Sequence, residues 1–469
     1  MENKNIIEIF NYIDRGNCVL LYGPGGTGKT HIIKSLRELF RDKVMYLTAM
    51  TGVAALGLNG DGETATTLHS WANIGTGNLP IKKIVSGIYK NKKSLDRWRL
   101  TEILVIDEIS MMGGELFDKL NEIGKIVRNR RLKPFGGIKL ILSGDFLQLP
   151  PINDIWIFKS KVWNTLNIKH VIFDIPYRYD DKNFFEILKR VRKGNLTHLD
   201  ILQLEARIDA YEEINKNCNL NNIKPTILYS KNANVDFYNN KQLEKLKEPE
   251  FIFHAKDSFY KKEGCKPNKE KQQKLIMNKM VPISIKLRIG AQVMLRKNID
   301  VIRGLVNGSR GIVQEIRGEE IRVRFVNNRE EWIEYSSWEY EDSESIFIRK
   351  QIPLILAWAI TIHKSQGCTL DYAICNIGKN IFTEGQGYVA LSRVRNLKGL
   401  FLQDFEISSI KVNEEALEYS MSIEGGNNNF TKDVIVKVLV NDNVCITFDK
   451  NKTYKDIAFE TLENFIISS

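Results

Sequence analysis

Residues 22–31 read YGPGGTGKTH and follow the apolar run Cys18-Val19-Leu20-Leu21. Four apolar residues running into a glycine-rich turn predict a buried strand that ends there. The periodic Ile32, Ile33, Leu36 and Leu39 predict the helix that begins beyond it. The stretch fits G-x-x-x-x-G-K-[ST], with Gly23, Gly28, Lys29 and Thr30 in the fixed places. Gly23, Pro24, Gly25, Gly26, Thr27 and Gly28 then form a loop whose backbone N–H groups converge on phosphate oxygens. The following helix aims its N-terminus at the same anion. In such a loop Lys29 reaches the β- and γ-phosphates, and the Thr30 hydroxyl ligates Mg²⁺. Strand, loop, Lys-Thr and helix in this order predict a bound nucleoside triphosphate. They leave open what the nucleotide drives.

The chain has 469 residues, more than one ordinary domain, and is 43% hydrophobic, enough for sizeable cores. Lysine and arginine number 68 against 57 acidic residues, a net charge of +11 that favours a polyanionic partner such as nucleic acid. The six cysteines (Cys18, Cys218, Cys265, Cys368, Cys375, Cys445) form no C-x-x-C pair. They predict a reducing, intracellular compartment and no zinc site. No apolar run reaches membrane-spanning length, so no membrane partner is expected. A P-loop beginning at Gly23 leaves no room for a leader peptide.

Strand-like and helix-like segments alternate through the first half. Val44–Leu47, Ile103–Ile106 and Ile138–Leu142 read as buried strands, and Leu116, Phe117, Leu120, Ile123 and Val127 as a helical stripe. The expectation is an α/β fold with a parallel sheet in a first domain over residues 1–170. Residues 75–99, lysine- and arginine-rich with little apolar periodicity, read as a basic insertion in it. A second α/β domain is expected over 171–280 and 350–415, with a helix around Phe184–Val191 and a strand at Thr226–Tyr229. Residues 247–280 read as loop-like. Residues 281–349 read as a small inserted β-barrel, from their short alternating segments and glycine turns. The apolar run at "IPLILAWAI" reads as a strand. Residues 416–469 read as an extension of unassigned role, opening with a linker at "EGGNNNFT".

Four further strings carry chemistry. "ILVIDEIS" ends an apolar strand in Asp107-Glu108, where the Asp suits Mg²⁺ and the Glu suits a general base for water. "LILSGDFLQLPP" places Gln148 where it can hydrogen-bond a γ-phosphate or the attacking water. "WAITIHKSQG" gathers Thr361, His363, Lys364, Ser365 and Gln366 after a strand, a donor set suited to a phosphate backbone, although His363 alone also suits a core. "GQGYVALSRV" puts Arg393 on an expected helix, where an arginine could stabilise a transferring phosphoryl. Trp71 suits either base stacking or a core.

With "TGVAAL…TLHS", "VIDEISMM", "IPYRYDDKNFFEILKRVRKG", "RIGAQVMLRKNID…GLVNGSRGIV" and "IPLILAWAITIHKSQGCTLD", these strings resemble the Pif1-like helicases of superfamily 1, in order, over residues 16–403. The resemblance implies two RecA-like parallel-sheet domains with ATP between them. It also implies a wedge inserted near 75–99 and an SH3-like β-barrel inserted over 281–349. It implies a 5′→3′ motor that hydrolyses ATP with Mg²⁺ and unwinds duplex DNA, acting on single-stranded and forked DNA as a functional monomer. Carried over by position, Lys29 and Thr30 hold phosphates and metal, and Asp107 binds the metal. Glu108 activates water, Gln148 senses the γ-phosphate, and Arg178 and Arg393 from the second domain are arginine fingers. Thr51, His69, Thr361, His363 and Lys364 contact DNA. Two positions depart from the family pattern. No glutamine precedes the P-loop in "MENKNIIEIFNYID", and Tyr179 stands where the family has glutamine after Arg178. The missing upstream glutamine leaves the choice of ATP over other triphosphates open. Competing readings are a DNA-stimulated ATPase that remodels protein–DNA complexes without productive unwinding, a P-loop kinase, and a nucleic-acid-binding module with a relic P-loop.

Overall fold

The computed structural model describes residues 2–58, 65–75, 77–217, 223–261, 269–297, 299–300, 303, 305, 308–341 and 345–425. The described residues form two compact units, those up to 178 together with those from 413 on, and those from 179 to 412.

The first unit is built on six parallel strands: β1 (Cys18–Tyr22), β2 (Met45–Ala49), β3 (Thr66–Thr67), β4 (Ile103–Asp107), β5 (Lys139–Gly144) and β6 (Ile168–Ile172). Their order across the sheet is β3-β2-β4-β5-β1-β6. Every residue of β1 and β4 is buried, as expected of central parallel strands covered on both faces. Leu20 pairs with Leu142 and Ile106 with the same Leu142. The carboxyl ends of β1, β4 and β5 are therefore in step, and the segments that follow them emerge at one edge, where α/β sheets bind ligands. Ile32, Ile33, Leu36 and Leu39, from helix Lys29–Leu39, join the core beneath that edge.

Three sequence expectations are corrected in this unit, and the alternative left open at Trp71 is decided. The boundary expected at residue 170 falls after Arg178, because β6 hydrogen-bonds to β1 as an edge strand of the first sheet. The basic stretch 75–99 contains two helices, Ile81–Lys90 and Lys92–Leu100, with Ile84, Val85 and Ile88 buried in the first. Trp71 is core: it is 1% exposed, its ring lies 4.6 Å from that of Trp98, and the Trp98 Nε1–H donates to the Ala72 carbonyl at 3.0 Å. The extension expected from residue 416 begins as helix Glu414–Gly425, which packs within the first unit. Residues 426–469, with the rest of the expected linker and the piece after it, lie outside the described residues.

The second unit holds a four-stranded parallel sheet ordered Ala359–Thr361, Thr226–Tyr229, Ala373–Ile377, Leu400–Phe405. Helix Lys182–Lys193 is capped by the Asp181 side chain, which accepts the Phe184 N–H, and ends at Gly194 with φ 72°. The segment 247–280 is not loop-like. It holds strands Phe251–His254 and Lys256–Lys261 and helix Lys269–Met280. Lys256–Lys261 pairs with Ser345–Gln351, and the latter with Ser336–Glu341. A separate antiparallel sheet runs Glu330–Ile333, Glu320–Phe325, Arg310–Arg317, Gln292–Leu295, Leu354–Leu356. The β-rich part thus recruits strands on both sides of 281–349. The single apolar run "IPLILAWAI" splits between two sheets, with Leu354–Leu356 in the antiparallel one and Ala359–Thr361 in the parallel one.

Candidate nucleotide site and nucleic-acid-facing residues

The loop after β1 turns with φ of 156° at Gly23, 82° at Gly26 and 85° at Gly28. At Gly23 a Cβ would stand 2.0 Å from the Phe173 carbonyl oxygen, so the β1–β6 approach demands glycine. Thr27 is buried and its hydroxyl donates to the Pro24 carbonyl at 2.8 Å, bracing the turn. The Lys29 ammonium donates to the carbonyls of Gly23 and Pro24, both at 2.7 Å, folding back over its own loop. A cation held over a ring of turned amides by neutral carbonyls can exchange those bonds for stronger ones to phosphate.

Beside it, Asp107 ends β4 and is 6% exposed. Burial pushes its carboxyl above the ordinary value. Ser143, the Glu108 N–H, the Lys29 charge and Thr30 work against that. The Glu108 N–H donates to Asp107 Oδ1 at 2.9 Å. Glu108 itself sits at φ 56°, ψ 45°, a left-handed conformation costly for a side-chain-bearing residue. Such strain persists where the surrounding structure over-determines it, often at functional positions. The next strand end, after β5, carries Asp145 and Gln148, which are 0% and 5% exposed. Asp145 accepts the Leu147 N–H at 3.1 Å and the Gln148 side-chain amide at 3.4 Å. P-loop, Asp-Glu pair and Gln148 are therefore brought to one sheet edge within one unit. Lys29, Thr30 and Asp107 fit a metal–triphosphate: one cation, one hydroxyl and one desolvated carboxylate face a glycine loop.

Arg178 is the last residue of the first unit rather than a member of the second. Its N–H and that of Tyr177 both donate to the Gly26 carbonyl, at 3.1 and 2.8 Å. The Tyr177 ring lies over Gly28, whose Cβ, if present, would come within 2.9 Å of it. Sequence reasoning passed over Tyr177; an aromatic one residue before the arginine was its signal. Thr51 caps the helix Gly52–Leu58, accepting the Ala54 N–H at 3.1 Å, and His69 sits half-buried on helix Leu68–Ala72 with its basicity lowered by burial.

In the second unit, Thr361 is 3% exposed and its hydroxyl accepts the Lys364 N–H at 3.2 Å, capping the N-terminus of the helix Ile362–Ser365. Its oxygen serves the turn; the outward groups there are His363 and Lys364. Burial lowers the basicity of both, and for Lys364 the Arg296 charge adds to that. The His363 ring stacks on Phe382, 6.2 Å between centroids and 17° between planes, and Phe382 is 57% exposed. Sequence reasoning did not select Phe382 because its partner lies nineteen positions away. Arg393 stands two residues past the helix Gln386–Leu391, not on it, and is 1% exposed. Its guanidinium donates to the carbonyls of Val389 at 2.7 Å and Ser365 at 3.3 Å, and to the Ser392 hydroxyl at 2.6 Å. Tyr179, where the family has glutamine, stacks on Phe185 at 5.3 Å and donates to the Ser392 carbonyl at 3.3 Å, so it fills the second unit's core.

Parallel strands ending together in a P-loop, a buried Asp-Glu pair and a glutamine turn define a P-loop nucleotide-binding protein. The chain belongs to the PIF1-like helicase family. That family's profile matches residues 2–200, and the profile described as the DNA helicase Pif1 2B domain matches 271–316. The chain is 36% identical over 426 residues to the ATP-dependent DNA helicase PIF1 of Xenopus laevis, covering 88% of this chain and 62% of that one. It is 33% identical over 418 residues to the ATP-dependent DNA helicase Pif1 of Bdellovibrio bacteriovorus, covering 87% and 89%. The crystal structure of Pif1 helicase from Candida albicans superposes with a TM-score of 0.73 at 30% identity, covering 90% of this chain and 98% of that one. The chain thus spans about 62% of the length of the Xenopus relative. Among the described residues, no helix is long and apolar enough to cross a membrane.

Proposed function

We propose that the chain is an ATP-dependent DNA helicase that translocates 5′→3′ on single-stranded DNA and unwinds duplex and forked DNA as a functional monomer. The observation that carries this reading is the alignment of Lys29, Asp107, Glu108 and Gln148 at one sheet edge, in a family whose members are named ATP-dependent DNA helicases. Thr30 and Asp107 would hold Mg²⁺, which supplies charge neutralisation to the phosphates. Lys29 binds β- and γ-oxygens, Glu108 takes the proton of the attacking water, and Gln148 orients that water. Arg178 and Arg393 are proposed to meet phosphate charge. For Arg393 this means exchanging part of the bond set that now holds Ser365 and Val389. Thr51 and His69 in the first unit and His363 and Lys364 in the second would grip the DNA backbone, with Thr361 shaping the turn that presents them. The helices Ile81–Leu100 would serve as the wedge, with Lys82, Lys83, Lys90 and Lys92 exposed along them, and the antiparallel sheet as the SH3-like insertion.

The test is ATP hydrolysis with and without oligo(dT). The wild type is expected to be strongly DNA-stimulated. Lys29→Ala should lose hydrolysis by orders of magnitude while keeping oligo(dT) affinity within about threefold. Hydrolysis indifferent to DNA would point to a kinase-like P-loop protein and remove the motor reading.

A further inference from the structure

The chain leaves the first unit after Arg178 and re-enters it at Asn413. The returning helix Glu414–Gly425 lies outside both matched family profiles. It docks on an aromatic knot. The Tyr419 ring stacks on Phe158, 4.2 Å between centroids and 9° between planes, and meets Phe146 edge-on at 5.5 Å. Phe146 in turn stacks on Tyr22 at 5.7 Å. Four polar links accompany the rings. Tyr22 O–H donates to the Ser420 hydroxyl at 2.5 Å, and Trp163 Nε1–H donates to the Tyr419 oxygen at 2.8 Å. Trp156 Nε1–H donates to Asn413 Oδ1 at 3.1 Å, and Lys159 pairs with Glu415.

Two of these contacts fall on the nucleotide machinery's own supports. Tyr22 is 0% exposed and immediately precedes Gly23; Phe146 is 1% exposed and stands two residues before Gln148. A helix needed only to cover apolar surface would not require several directional bonds along it, since apolar packing tolerates sliding. Hydrogen bonds with narrow distance and angle limits fix position to fractions of an ångström. Both chain crossings are thereby tied to the site: the first through Tyr177 and Arg178 on the Gly26 carbonyl, the second through Ser420 on Tyr22.

We infer that helix Glu414–Gly425 is a positioning element for nucleotide turnover, its Tyr419 and Ser420 setting through Tyr22 and Phe146 where the P-loop and Gln148 stand. The inference rests on the proposed ATP hydrolysis. Tyr22→Phe is the direct probe, because it removes the Tyr22 donor while Ser420 keeps its own bond to the Ala416 carbonyl at 2.6 Å. Misplacement of a reacting group by about 1 Å can cost as much as a hundredfold in rate. The knot is only partly loosened here, so DNA-stimulated kcat is expected to fall about five- to tenfold. The KM for ATP and the oligo(dT) dissociation constant should stay within about twofold. Ser420→Ala, which also gives up the bond to the Ala416 carbonyl, should show the same pattern, and the double variant should lose no more than the worse single one, since the Tyr22–Ser420 bond is broken in all three. Tyr419→Phe, which keeps the ring stack and removes only the acceptor for Trp163, is a second probe should Ser420→Ala fold poorly. A kcat within twofold of wild type in Tyr22→Phe and Tyr419→Phe, at whatever melting temperature, overturns the inference and leaves the function standing. A wild type that does not hydrolyse ATP overturns both.

Discussion

Glu108 offers a perturbation in which stability and activity should move in opposite directions. Its φ of 56° and ψ of 45° place a side-chain-bearing residue in the left-handed region. That conformation costs about 1–2 kcal/mol for a residue with a Cβ. Glycine adopts it freely but loses about 0.5–1 kcal/mol more backbone entropy on folding. Glu108→Gly should therefore be more stable than Glu108→Gln by about 0.5–1 kcal/mol, the glutamine keeping the Cβ and hence the strain. For a unit of this size about 1 kcal/mol moves the melting midpoint by about 2–4 °C, so a gain of about 1–4 °C is expected. Both variants lack the carboxylate proposed as the base, and both should lose DNA-stimulated hydrolysis by orders of magnitude. Scanning calorimetry of the nucleotide-free proteins, beside ATPase rates with oligo(dT), reads both quantities. A Glu108→Gly midpoint below that of Glu108→Gln would show that the backbone is not strained for the side chain's sake. Near-normal turnover by Glu108→Gln would remove the residue from its proposed role.

Phe382→Ala should weaken oligo(dT) binding by about 1–3 kcal/mol if its exposed ring takes a base beside His363. The loss should vanish on an abasic strand of equal length and leave the salt dependence unchanged; an equal loss on the abasic strand would contradict stacking. His170, paired with Leu20 in β6, is held to about 4 by burial and, secondarily, by Lys169. Its folded value lies below the unfolded one, so its contribution to stability is whole above pH 6.5 and is lost as pH falls from 6.5 towards 4. That loss amounts to something on the order of 3 kcal/mol. His170→Asn should flatten that part of the pH–stability profile, and an unchanged profile would assign the acid sensitivity elsewhere.

The central strands of the first sheet were readable because burial on both faces leaves uninterrupted apolar runs, as in Ile103–Asp107, and because the P-loop sets its own punctuation. Strand β6 misled because an edge strand tolerates polar residues. With Lys169 and His170 in its middle, it reads like the opening of a new domain. Lys256–Lys261 escaped notice for a similar reason: five of its six residues are exposed, four of the six are polar, and only pairing with Ser345–Gln351 makes it a strand. Arg393 was placed on a helix that stops at Leu391, where Ser392 ends it. The return of helix Glu414–Gly425 to the first unit was beyond local reading, since Tyr419 and Phe146 are 273 positions apart. The P-loop and the Asp107-Glu108 pair were legible because their chemistry needs fixed spacing. The Thr361 capping bond and the Phe382 stack depend on a fold that spacing does not encode.

Unwinding of 5′-tailed against 3′-tailed duplexes, with ATP and with GTP, puts the account to its most direct trial. A 5′→3′ motor fuelled by ATP should open the 5′-tailed duplex and leave the 3′-tailed one closed. Comparable rates with GTP would trace to the missing upstream glutamine. Strand separation from the 3′ tail alone, or none from either tail while DNA-stimulated hydrolysis persists, would contradict the helicase assigned here.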